Sequence, residues 1–161
     1  MKAIATDDKT TERSLVKDAL GKAMSYETYR SLVADLAEQG SNTGAEQTES
    51  LANYTQLNHK RMKRWDKTFK VTEATKEKLE ALNEKITWVV LTESWCGDAA
   101  PSLPVMNRLA ELSPKLDLKV VLRDENLPLM DAFLTNNARS IPKLVAVNAE
   151  NQEVLGTWGP R

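Results

Sequence analysis

The sequence predicts a mixed α/β fold with an all-helical N-terminal third. Two observations carry the prediction. Up to about residue 65 every apolar pattern has helical spacing, and from residue 68 onward short apolar, β-branched runs alternate with short helical ones. A third observation closes the series: the runs 143–147 and 153–158 are separated only by the polar turn Asn148-Ala149-Glu150-Asn151-Gln152, which reads as a hairpin.

In order, a short helical pattern lies around residues 14–20 of an otherwise polar start. A better helix runs over 26–39, with Ser25 as N-cap, Met24 and Tyr29 spaced as a hydrophobic staple, and Gly40 as the stop. After the polar loop GSNTGAEQT a long helix is expected over about 46–65, carrying Leu51, Tyr54, Leu57, Met62 and Trp65. Phe69-Lys70-Val71 reads as a brief strand, 73–84 as a helix capped by Thr72, and 86–92 as a buried strand. A helix at 98–112, a strand at 118–122 and a helix at 127–135 opened by Asn126 complete the order β-α-β-α-β-α-β-β. The division drawn from this is a helical extension, 1–65, and an α/β domain, 66–161.

With 161 residues and 41% apolar composition, the chain can bury one real core. A formal charge of −1 gives no global pull toward nucleic acid or an acidic membrane. No window approaches the length of a membrane span and the first residues lack a signal-peptide core, so a cytoplasmic location is expected. One cysteine allows no internal disulfide and no thiolate metal cluster, and no phosphate loop or serine-type triad is present. Neither cofactor nor metal is expected.

That cysteine, Cys96, stands where the strand 86–92 gives way to a helix, a place where unpaired backbone N–H groups and the helix dipole favour a thiolate. Asp98, two residues on, opposes this as a nearby anion, and is also a candidate to relay protons. The basic run 59–67 and His59 read as a solvated helix surface, and Tyr29, Tyr54, Met62 and Trp65 as a seam by which the extension docks on the sheet or on a partner.

The segment WCGDA at 95–99 resembles the W-C-G-P-C motif of thioredoxins, retaining Trp95, Cys96 and Gly97. Pro104 falls where that family has a helix-kinking proline, and RSIPKLV at 139–145 resembles its cis-proline segment, with Ile141-Pro142 at the bond itself. The resemblance implies a thioredoxin-like three-layer fold over residues 66–161. The sequence stops at Gly159-Pro160-Arg161, where the family would add its final helix: either that helix lies outside this sequence, or a helix of the extension covers the same face. Ala99 in place of the second cysteine implies a monothiol protein that exchanges disulfides with protein or low-molecular-weight thiols and is released by an external thiol. Trp95, Gly97, Ile141 and Pro142 would then contact the substrate, with Cys96 and Asp98 as the chemical pair. The rival reading is a redox-inactive module that holds a peptide in the Cys96/Pro142 groove.

Overall fold

The computed structural model describes residues 2–160, with side chains from residue 9 onward. Three helices come first: α1 (Lys2–Leu20), α2 (Tyr26–Gln39) and α3 (Glu49–Thr68). They are followed by α4 (Glu73–Glu80), β1 (Ile86–Thr92), α5 (Ala99–Glu111), β2 (Leu116–Leu122), α6 (Leu127–Ala132), β3 (Lys143–Asn148) and β4 (Val154–Trp158). A 3-10 turn, Arg123–Glu125, joins β2 to α6.

Local chemistry sets most helix ends. Ser25, Thr48 and Thr72 each accept from the backbone N–H three residues on, satisfying one of the donors a helix start leaves open. Because Thr48 is the cap, α3 begins at Glu49 and runs on to Thr68, three residues beyond the expected span. Gly40 closes α2 in the left-handed conformation, φ 68°, as its place after the last apolar residue predicts. Asn126 stands at the start of α6 without capping it: its Nδ2 donates to Leu122 O at 2.8 Å instead.

The sheet has the order β2-β1-β3-β4, with β1 parallel to β2 and the other neighbours antiparallel. The expected strand at 69–71 does not form. The outer edge of β2, where a further strand could pair, is met by Met24, which exchanges two backbone hydrogen bonds with Val120 at 2.9 and 2.8 Å. With that edge met by Met24 the three-residue run has no ladder to join there; Phe69 N–H instead donates to Trp65 O at the end of α3, and residues 69–71 remain irregular.

The extension and the sheet share one core. Val16, Tyr29, Val33 and Met62 lie in the same buried cluster as Val89, Val90, Leu103, Val120 and Val145. Asp66 ties three helices together: it accepts from Tyr26 Oη at 2.6 Å and Arg30 Nε at 2.9 Å, while its carbonyl accepts from Arg108 of α5 at 3.0 Å.

The proposed seam divides in two. Tyr29 and Met62 are buried, whereas Tyr54 and Trp65 face outward, 53% and 37% exposed. Nor does the extension cover the far half of the sheet. There an open apolar groove of about 560 Å³ runs between α5 and the strands, lined by Trp88, Val105, Met106, Leu144, Ala146 and Trp158 and by no residue of α1–α3. Among the described residues no helix is long and apolar enough to cross a membrane.

Candidate functional site

Cys96 lies on the turn between β1 and α5, 9% exposed, in a loop closed by its own N–H donating to Glu93 O at 3.1 Å. Its Sγ donates to Ile141 O at 3.4 Å, and the Ile141–Pro142 bond is cis. Cys96, Ile141 and Pro142, far apart in sequence, are thus brought to one place. Gly97 and Asp98 are exposed on the outer side of the turn, and Trp95 is partly buried beside it.

The electrostatics differ from a two-way contest between helix end and Asp98. Burial is the largest influence and pushes the Cys96 thiol up. The backbone N–H groups of Ala99 and Asp98 face the sulfur and pull it down, the Asp98 carboxylate pushes it up, and the Arg123 guanidinium pulls it down. The net direction is upward, so the resting sulfur is a thiol, in keeping with its role as donor to Ile141. Asp98 occupies the cap position of α5 without a side-chain capping bond.

Several residues that shape the turn were not visible as such in the sequence. Glu93, at the end of an apolar strand, is fully buried, with its carboxylate accepting from the Thr43 hydroxyl and from Asp124 N, the latter at 2.9 Å. Burial raises its pKa, against the pull of those two donors. Ser94 is bound on three sides: its N–H donates to Thr43 Oγ1 at 2.8 Å, its hydroxyl accepts from Thr43 N at 2.9 Å and meets Thr55 Oγ1 at 2.8 Å, and its carbonyl accepts from Asn58 Nδ2 at 3.0 Å. One turn further along α3, Arg61 Nη1 donates to Gly97 O at 3.0 Å. The available signal was the strand's ending in Glu-Ser: a carboxylate directly after an apolar run must be exposed or find donors.

Gly44 completes this clamp. At φ 99° it lies so close to the turn that a Cβ there would stand 2.8 Å from Asp124 Oδ2 and 3.4 Å from Trp95 Nε1. Over the Trp95 ring, the Arg123 guanidinium lies 5.0 Å from the centroid and donates to Arg139 O at 3.2 Å, joining the tryptophan to the loop before Pro142. His59 is engaged elsewhere, its Nδ1 3.3 Å from Arg30 Nη1. Among the described residues no group of three or more His, Cys, Asp or Glu side chains is placed to hold a metal ion.

The sequence pattern of the thioredoxin family matches residues 44–161, nearly three quarters of the protein. The chain belongs to the thioredoxin family. The match begins at Gly44, so it takes in α3 and part of the clamp as well as the sheet. Two solved structures share the fold of this thioredoxin-family chain. One is a protein of unknown function from Pseudomonas aeruginosa, 19% identical with a TM-score of 0.56. The other is an HIV epitope scaffold, 19% identical with a TM-score of 0.55; each match covers 86% of this chain and 78% of the other. No curated protein matches.

Proposed function

We propose that this chain carries out monothiol thiol–disulfide exchange at Cys96. The observation that supports the reading is the placement of Sγ between the α5 N-terminus and Ile141 O, in a turn fixed from both sides. On losing its proton, the Cys96 sulfur attacks one sulfur of a substrate disulfide. The S–S bond breaks, a new Cys96–substrate disulfide forms, and the other substrate sulfur leaves as a thiolate. With alanine at 99 no internal thiol follows, so an external thiolate attacks the substrate sulfur of the mixed disulfide, the new disulfide carries the substrate away, and Cys96 leaves as a thiolate and takes back its proton. The N–H groups of Ala99 and Asp98 stabilise the sulfur whenever it is anionic, and Asp98, exposed next to it, is the candidate to take and return the proton.

A second reading rests on the burial that holds Cys96 as a thiol: a groove that binds a partner peptide beside Ile141 and Pro142 without bond exchange. The pH dependence of alkylation by iodoacetamide, together with mass detection of a mixed disulfide after incubation with oxidised glutathione, separates the two. Exchange predicts a folded protein that forms the mixed disulfide. It also predicts a reactivity that rises at higher pH than the ordinary thiol value of about 8.5, because a raised pKa delays formation of the thiolate. A Cys96 that reacts with neither reagent until the protein is unfolded overturns exchange in favour of the binding groove.

A further inference from the structure

We propose that the outward stripe of α3 is the docking surface for an acidic, leucine-bearing segment of the protein whose disulfide Cys96 engages. The identity of this partner rests on the exchange reading; the docking itself does not. At 3.6 residues per turn, Tyr54, Leu57, Arg61, Arg64 and Trp65 fall within an arc of about 100° along one face of the helix. Tyr54 and Leu57 are 53% and 50% exposed, and with Trp65 they give this helix three exposed large apolar side chains. Two shallow depressions lie on the stripe, one bordered by Tyr54 and Leu57 and the other by Arg61, Arg64, Trp65 and Thr68.

Arg61 connects the stripe to the thiol site, since its Nη1 bond to Gly97 O places the stripe directly against the Cys96 turn. A segment lying along α3 therefore arrives at the sulfur without crossing other elements.

Charge selects the occupant. In residues 58–68 the one carboxylate, Asp66, is held by Tyr26 and Arg30 on the α2 side, leaving the cations of this half without an acidic counterpart in their own run. Lys60 and Lys63, both exposed, extend the positive field beyond Arg64. Asp98, exposed at the turn, repels acid over the sulfur itself, so the acidic stretch belongs on α3. A nucleic acid fits less well: the half with Tyr54 and Leu57 carries no cation and borders Glu49, where a phosphate track would need positive charge.

The test uses the full chain with Cys96→Ser, so that binding is read without bond exchange. The probes are a fluorescein-labelled peptide of Glu and Leu with one central Ser, its counterpart with Lys for Glu, and a labelled single-stranded oligonucleotide, each followed by anisotropy. The acidic peptide is expected to bind with an affinity that falls as salt is raised. Arg64→Glu should weaken it about tenfold or more, and Tyr54→Ala with Leu57→Ala several-fold. All three positions are exposed, and unchanged circular dichroism confirms the fold. Equal binding of the Lys peptide, an unchanged affinity in Arg64→Glu, or tighter binding of the oligonucleotide than of the acidic peptide overturns the proposal. Peptide binding by a chain whose Cys96 proves inert would leave the surface standing and remove exchange; exchange without peptide binding would do the reverse.

Discussion

The two flanks of the sheet are finished in opposite ways. Where α3 and the 41–47 loop meet the end of β1, polar groups are buried and paired: Glu93, Ser94, Thr43, Thr55 and Asn58 share one network of hydrogen bonds. Over β3 and β4 the opposite holds, since an apolar surface with Trp88, Leu144 and Trp158 opens into a groove. The difference teaches what each flank specifies. Apolar contacts are non-directional and tolerate being left open, whereas buried donors and acceptors are satisfied in only one arrangement. The turn that carries Cys96 is therefore held from the polar side.

Substitutions on each flank test this contrast, and the largest effect belongs to Glu93. Glu93→Ala strands the buried Thr43 hydroxyl and the part-buried Asp124 N–H and should cost about 3 kcal/mol in urea denaturation. A loss under about 1 kcal/mol would mean that the network follows the fold instead of fixing it.

Gly44→Ala comes next. It places a Cβ against Asp124 in a left-handed backbone, at a cost of about 1–2 kcal/mol, read as a lowered Tm. If the clamp orients the turn, the same variant changes the Cys96 alkylation profile as well. A lowered Tm with an unchanged profile would confine the clamp to stability.

The smallest effect is on the open flank. Trp158 is 51% exposed on the edge strand, and Trp158→Ser should shift stability by about 0.5 kcal/mol or less. A loss comparable to that of Glu93→Ala would break the contrast by showing that the groove is covered in solution.

Much of the fold could be read locally. Ser25, Gly40, Thr72 and the apolar, β-branched run of β1 act through neighbours within a few residues, and each stands where the pattern puts it. The strand predicted at 69–71 shows the limit, because a strand needs an edge, and Met24 meets that edge from 45 residues earlier in the chain. The site divides in the same way. Cys96 and Pro142 could be picked out by motif, but Glu93 is marked only by its place after an apolar run, and Thr43, Gly44 and Arg123 have no mark of their own. Their role comes from packing against one another.

Helix α3 gives the sharpest case. Its apolar residues suggest a buried seam, yet it buries Thr55 and Asn58 and exposes Tyr54, Leu57 and Trp65. The facing surface explains this inversion, since the polar groups of Ser94, buried beneath α3, need donors and acceptors that only a polar helix face supplies. The sequence by itself determined the family, the helix caps and the cysteine at a helix start, because these depend on residue type and short spacing. Tertiary structure alone decided which face of α3 turns inward, that burial outweighs the helix end at Cys96, and that a loop 50 residues away clamps its turn. Each of these depends on what a side chain meets across the fold, which no local pattern contains.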